Sequence, residues 1–374
     1  MVEIEMIDTR SRAQVNEFVQ FHYRLYRGHP QWVPPFVSDI KLMLNRDKHP
    51  FFEHSDGDFF LAKRGKEVVG RIAVLENKPF NQYHQTRKAQ FYLFDCIDDQ
   101  EVANCLFDAA FDWCRKRKLD TLLGPKGLSP FDGYGIQVEG FEHRQMMTMM
   151  NYNYPYYPVL FEKAGFQKEV DFVSCYLGEN FKLPEKVAEV ARRLKERGKF
   201  RVSNFKTKRE LLRCAAQIGE VYNKTFVNNW EYYPLTPREI KLAVDNILLV
   251  AVPQLIKLIY YNEEVVGFLF GFPDISAALQ RHGGHLTPWG IVDMLIELKR
   301  TRRLSLNGVG VLPEYQGRGG NALLYYEMVQ TIKSFNYEHV ELTQMAETAV
   351  QVRRDLVTAG AIPYKNHRIY TRQV

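Results

Sequence analysis

Apolar and polar positions along the 374 residues change period in a fixed order, and the order runs through the chain twice. Alternation predicts strands at residues 3–7, 59–63, 68–75 and 89–96, with another near Thr121 to Leu123. The tight turn Arg64-Gly65-Lys66-Glu67 makes the second and third of these a hairpin. Helical spacing appears at Val15, Phe18, Val19 and His22, and again at Val102, Cys105, Leu106, Ala109, Ala110 and Trp113. The apolar stretch His29-Pro30-Gln31-Trp32-Val33-Pro34-Pro35-Phe36 is read as an irregular loop, because its prolines forbid a continuous helix. Gly124-Pro125 stops the strand before it.

Residues 124–158 are rich in Gly, Pro, Met and Tyr and read either as a long loop packed on the core or as an adaptable binding wall. Val187, Val190, Ala191 and Leu194 form one apolar stripe that Pro184 opens and Gly198 ends, which predicts a connecting helix. Beyond it the plan returns: a strand at 200–205, a helix at 211–226, strands at 255–260 and 265–270 around Tyr261-Asn262-Glu263-Glu264, a strand at 304–312, a helix at 322–335 and a strand at 338–343. Local sequence repeats as well, Lys66-Glu67-Val68-Val69-Gly70-Arg71-Ile72 against Glu263-Glu264-Val265-Val266-Gly267-Phe268-Leu269. The expectation is an α/β protein of two tandem copies of one mixed unit: residues 1–180, a connecting helix at 181–199, and residues 200–374.

The chemistry-bearing segment is Asn307 through Ala322. A strand leads through Pro313-Glu314-Tyr315 into Gln316-Gly317-Arg318-Gly319-Gly320-Asn321-Ala322 and then an amphipathic helix. Glycines let the backbone turn sharply and approach a ligand. A helix start offers free N–H groups and a positive dipole end, a combination that binds phosphate oxygens, and Arg318 adds a charged fork. A P-loop is excluded because no Lys-Ser or Lys-Thr follows the glycines. Gly317-x-Gly319-x-x-Ala322 with Glu341 fits a dinucleotide fingerprint, but too little chain follows to build the crevice of a doubly wound fold. A glycine-rich turn that only caps a helix is the remaining alternative.

Residues 304–330 resemble motif A of the GNAT superfamily of N-acetyltransferases, carried here by Val311-Leu312-Pro313-Glu314-Tyr315-Gln316-Gly317-Arg318-Gly319. The resemblance implies acetyl-CoA as co-substrate. It places the coenzyme A diphosphate on the amides of residues 316 to 321, with Ala322 following in the helix, and the pantetheine arm and acyl carbonyl against the backbone of Val309 and Val311. It implies acyl transfer to a small-molecule or peptide amine, and the lack of a placed Cys or Ser nucleophile in the sequence points to direct attack in a ternary complex. The amino-terminal half resembles the same fold without the cradle, since Ile97-Asp98-Asp99-Gln100-Glu101 stands at the matching place with acids and no glycine. Tandem arrangements of this kind also resemble Fem-type transferases, which keeps an aminoacyl-tRNA donor open, and an acyl-CoA sensor without catalysis is the other alternative.

Where many family members place a general-acid Tyr, this chain has Leu356; Ala361 replaces the Phe of that segment and Asn321 fills the last small position of the loop. Glu347, Tyr232 and Tyr233 are the substitute candidates for moving the proton in catalysis, with Tyr370 behind them. The histidines show no ligand spacing, so no metal is expected.

Composition adds bounds. A net charge of +6 spread along the chain suits an anionic cofactor and gives no clustered nucleic-acid face, so transfer RNA is the one nucleic acid kept in view. Five cysteines without a Cys-x-x-Cys pair read as reduced thiols, and the start Met1-Val2-Glu3-Ile4-Glu5 is no signal peptide, so a cytoplasmic protein without a membrane span is expected.

Overall fold

Hydrophobic alternation becomes strand, and helical spacing becomes helix, through the first part of the chain in the order β1 (Glu3–Met6), α1 (Arg12–Leu25), α2 (Val37–Met43), β2 (Asp56–Arg64), β3 (Glu67–Glu76), α3 (Lys78–His84), β4 (Lys88–Cys96), α4 (Gln100–Lys116), β5 (Thr121–Gly124), β6 (Ile136–Glu139), α5 (Tyr157–Lys163) and β7 (Gln167–Leu177). The chain continues with α6 (Glu185–Arg197), β8 (Phe200–Val202), α7 (Lys208–Arg213), α8 (Ala215–Thr225), α9 (Pro237–Val250), β9 (Ile256–Tyr261), β10 (Glu264–Pro273), α10 (Ser276–His282), α11 (Pro288–Arg300), β11 (Arg303–Val311), α12 (Gly320–Ser334), β12 (His339–Ala346), α13 (Val350–Thr358) and β13 (Ile362–Gln373). This computed structural model describes residues 1–147, 150–179, 181–227, 229–358 and 360–374. Thr148 and Met149 of the Met-rich run lie outside the described residues.

Two compact units result, and each draws on more than one stretch of chain. The first holds Met1–Val173, Ile275–Ile296 and Lys365–Val374; the second holds Ser174–Asp274 and Glu297–Tyr364.

In the first unit the strand order is β1-β2-β3-β4-β5-β13, with β6 also pairing β13. Period-two alternation sends Phe60 and Ala62 of β2 to the core under α4, and Phe59 and Leu61 to the core under α1 and α2. Phe94 stacks on Phe107 at 4.9 Å in the first of these cores, and each such buried ring contributes about 2–3 kcal/mol of transfer free energy. The His29–Phe36 segment is irregular, as its prolines require, and is held by side chains: Gln145 accepts from the Val33 amide at 2.9 Å, and Gln280 donates to the Trp32 carbonyl at 2.8 Å. Beneath it, buried Asp95 accepts from Arg71 Nε at 2.7 Å, His22 Nδ1 at 2.9 Å and the Tyr26 hydroxyl at 3.1 Å.

In the second unit the order is β8-β9-β10-β11-β12. β9 and β10 form the expected hairpin, β10 pairs β11 antiparallel, and β11 pairs β12 parallel with α12 as the crossover. The first unit has the same series: β2–β3 hairpin, β3–β4 antiparallel, β4–β5 parallel around α4. Even the irregularity recurs. One extra residue bulges from β4, with Leu93 at φ 48°, and one from β11, with Gly308 at φ 79°.

α6 ends at Gly198, left-handed at φ 70°, as the glycine stop predicts. The expected 211–226 helix is broken at Cys214 into α7 and α8, and the expected strand at 200–205 ends at Val202. Short helices such as α2, α3 and α10, of seven residues each, carry too few turns for their spacing to stand out in the sequence.

Candidate acyl-carrier site

The strand β11 and the helix α12 meet at the glycine-rich loop. A short 3-10 turn over Pro313–Tyr315 lifts the chain off β11. Gly317 and Gly319 then take φ of 72° and 88°, conformations that an L side chain resists. Gly319 is the N-cap of α12 and carries no side chain to fill the cap. Helical bonding begins with the Leu323 amide donating to the Gly319 carbonyl at 3.3 Å. The amides of Gly317, Arg318, Gly319, Gly320, Asn321 and Ala322 donate to no backbone or side-chain acceptor among the described residues. Six consecutive open donors at the positive end of a 15-residue helix are an arrangement that can receive an anion.

Neighbouring side chains fix the loop. Gln316 Nε2 donates to the Val311 carbonyl at 3.0 Å, tying the loop back to the last residue of β11. The Arg318 guanidinium is exposed and lies over the Tyr315 ring at 5.2 Å. Tyr315 donates to Glu264 Oε2 at 3.0 Å. α6 packs along α12, with Lys195 and Glu327 paired at 2.9 Å.

A fork opens at the same end of β11. Parallel pairing with β12 runs from Arg303↔His339 to Leu306↔Leu342 and goes no further among the described residues. Past the Gly308 bulge, β11 pairs with β10 alone among the described residues, through Val309, Gly310 and Val311. The two parallel strands therefore part, leaving the β12-facing edge at Val309 open to an extended ligand, while the Val311 carbonyl is taken by Gln316. Gly310 sits so close to α8 that a Cβ there would lie 2.2 Å from Thr225 Cγ2.

Polar side chains gather where the strands part. Ser305 pairs with Phe272, whose strand sends Phe268 and Phe270 toward α8, so Ser305, Asn307, Glu341 and Thr343 share the α8 face of the sheet. Ser305 Oγ donates to Asn307 Oδ1 at 2.6 Å and lies 2.9 Å from Thr343 Oγ1. Glu341 is fully buried there. Burial first, and then the Glu341 carboxylate beside it, push the Tyr364 phenol far above its ordinary pKa. A buried carboxylate and a phenol that keeps its proton are the materials of proton transfer.

The residues expected to catalyse lie as follows. Glu347 is half-buried in the turn after β12. Tyr232 is buried and donates to the Asn223 carbonyl at 2.5 Å, while Asn223 also clamps Leu235 through both its amide groups, so Tyr232 ties the following loop to α8. Tyr233 is buried beside it in sequence. Tyr370 lies in the first unit, with its hydroxyl on Glu162. Sequence reasoning missed the Glu341–Tyr364 pair as acid–base chemistry. Its signal was a Glu at an inward position of the strand His339-Val340-Glu341-Leu342-Thr343.

In the first unit the matching helix start is closed. Asp99 caps α4 by accepting from the Glu101 amide at 2.9 Å, and Arg64 holds Asp99 at 2.7 Å and Glu101 at 2.9 Å. A carboxylate of the protein already occupies the place that a phosphate takes at a glycine loop. Among the described residues no group of three His, Cys, Asp or Glu side chains converges as a metal site, and no helix is long and apolar enough to cross a membrane.

No protein-family model matches the chain. Two curated proteins align along nearly its whole length. Protein YghO of Escherichia coli strain K12 is 24% identical over 376 residues, 97% of this chain and 94% of that protein. The bacterial ceramide synthase of Caulobacter vibrioides is 25% identical over 387 residues, 99% of this chain and 97% of that protein. Among solved structures, a tandem GNAT protein from the clavulanic acid biosynthesis pathway superimposes with a TM-score of 0.55 at 11% identity, covering 100% of this chain and 98% of that one. The GCN5-related glucosamine N-acetyltransferase region of a fungal multidomain β-N-acetylglucosaminidase gives 0.58 at 14% identity, covering 100% of this chain and 38% of that one. The fold is the tandem GNAT fold.

Proposed function

We propose that this chain, a tandem GNAT fold with one open cradle, moves an acyl group from coenzyme A to the amine of a long-chain amino alcohol, by direct attack in a ternary complex. The observation that carries the acyl-CoA half is the run of open amides from Gly317 to Ala322 at the mouth of the β11–β12 fork. The acceptor half rests on the full-length similarity to a bacterial ceramide synthase, since a ceramide is the amide of such an amine.

Coenzyme A, when bound, supplies the activated thioester carbonyl. The amides of residues 317 to 322 hold its diphosphate, and Arg318 adds positive charge at the solvent side. The free edge at Val309 accepts the extended arm and directs a backbone N–H at the carbonyl oxygen, where negative charge develops during attack. Val309, the first residue past the Gly308 bulge, is the residue proposed to polarise the carbonyl. Glu341, directly or through a water, takes the proton of the attacking amine and water relays a proton to the leaving sulfur, while the Tyr364 hydroxyl, which keeps its own proton, acts as a hydrogen-bond donor beside it. Glu347 and Tyr233 remain alternative proton carriers from the same unit, and Tyr232 a positioning residue.

Incubation of the purified chain with acetyl-CoA or palmitoyl-CoA and a panel of amines tests the reading. Stoichiometric free thiol and an amide product with a long-chain amino alcohol are expected. Thiol release that tracks water alone, or no amide from any amine, overturns it. Tight acyl-CoA binding without product on any amine would mark the chain as a sensor.

A further inference from the structure

α11 is built inside out. A turn of 100° per residue places Trp289, Ile291, Val292, Leu295 and Ile296 on one broad arc of this 13-residue helix. These five side chains are between 40% and 79% exposed, Trp289 the most, and Leu286 in the preceding turn is 48% exposed. The acids of the helix point the other way. Asp293 and Glu297 are half-buried, and Asp293 is held by Arg281 Nε at 2.8 Å and His282 Nε2 at 3.0 Å. The arc ends on Lys299 and Arg300, both exposed and in no ion pair among the described residues. A solvent-facing helix ordinarily shows the reverse distribution.

We propose that α11 is an interfacial anchor that lays this arc on an anionic lipid bilayer. Charge selects the occupant: Asp293 is neutralised by Arg281 and His282, Glu297 is half-buried, and the charges at the end of the arc are the two cations Lys299 and Arg300. An apolar arc with basic residues at its end matches the boundary between acyl chains and anionic headgroups, where a tryptophan ring also settles. The inference stands on exposure and charge alone and does not need the transfer chemistry above.

The test is flotation of the full chain with vesicles of phosphatidylcholine, and with vesicles in which about a third of the lipid is phosphatidylglycerol. Binding to the anionic vesicles at least roughly tenfold stronger than to the neutral ones is expected, weakened by salt. Trp289 emission should shift to the blue on binding, and Trp289→Phe should remove that shift while Trp230→Phe keeps it, since Trp32 and Trp113 are already buried and Trp230, half-buried, lies off this helix. The double variant Leu295→Ser/Ile296→Ser, with an unchanged thermal melt because both positions are exposed, should lose roughly tenfold in binding. Absence of the chain from floated anionic vesicles overturns the proposal. So does undiminished flotation of the double variant, or a concentration-dependent dimer that the double variant abolishes while the parent ignores vesicles. Because no turnover is measured, a negative result leaves the acyltransferase reading standing, and a failed amine panel leaves this one standing.

Discussion

Leu194 Cδ1 of α6 stands 2.9 Å from the place a Cβ on Gly319 would occupy, and Val190 Cγ1 is as close. Gly319 is thus required twice, by its left-handed backbone and by the helix packed against it. Gly319→Ala should weaken coenzyme A binding by roughly tenfold, from about 1 kcal/mol of backbone strain plus the displacement of α6. Leu194→Ala should recover part of the loss, because it frees the crowded side but not the backbone. Gly317 has the same handedness and open space around it, so Gly317→Glu tests charge instead. It should abolish binding measured by calorimetry, and unaltered affinity in both variants would remove the cradle.

Glu341→Gln keeps the shape of the buried strand and deletes its base. Turnover should fall by about 100-fold or more with coenzyme A affinity preserved. Tyr364→Phe should fall less, since water can return a proton to sulfur. Should Glu347→Gln cost more than Glu341→Gln in the same assay, the acid–base assignment moves to the turn after β12.

Asp95 faces Arg71 and His22 in a buried site. Burial raises its pKa, but the facing His22 and Arg71 outweigh that and hold it below the ordinary carboxylate value. Asp95→Asn leaves Arg71 buried without its counter-charge, which should destabilise the chain by about 3–5 kcal/mol in urea unfolding. A loss below about 1 kcal/mol would mean that water reaches the site.

His367 gives a pH signature. Its Nε2 donates to the Asn151 carbonyl at 3.0 Å, and burial pushes its pKa down to about 4. The unfolded chain takes up a proton near pH 6.5 that the folded chain refuses until about pH 4. Stability is therefore level above pH 6.5 and falls as the pH drops from 6.5 to about 4, by about 3 kcal/mol from this residue. His22, also lowered by burial, adds a loss of the same sign. Urea midpoints for His367→Gln should depend less on pH than those of the parent, and parallel curves would refute the assignment.

The hairpins, α4, the Gly198 stop and the glycine loop were legible because each is local: alternation, spacing and positive-φ glycines leave their mark within a few residues. The bulge at Leu93 left none, since nothing in Tyr92-Leu93-Phe94 announces a left-handed residue; register with β3 imposes it. Glu341 reads in the sequence only as the acid of a dinucleotide fingerprint, because its burial depends on strands distant in sequence. α11 escaped notice for a related reason. Its apolar positions do recur at helical spacing, but that the arc faces solvent is decided by packing, which the spacing alone does not encode.

Residues 365–374 supply the strand beside β5, whose other neighbour is β4, and residues 275–296 hold the His29–Phe36 loop through Gln280. On the ribosome, the half of the protein made first is therefore the half completed last. Its sheet keeps an unpaired edge at Thr121–Gly124 for as long as synthesis of the remainder takes, and a nascent chain stalled before residue 365 offers that edge to chaperones or to its own neighbours on a polysome.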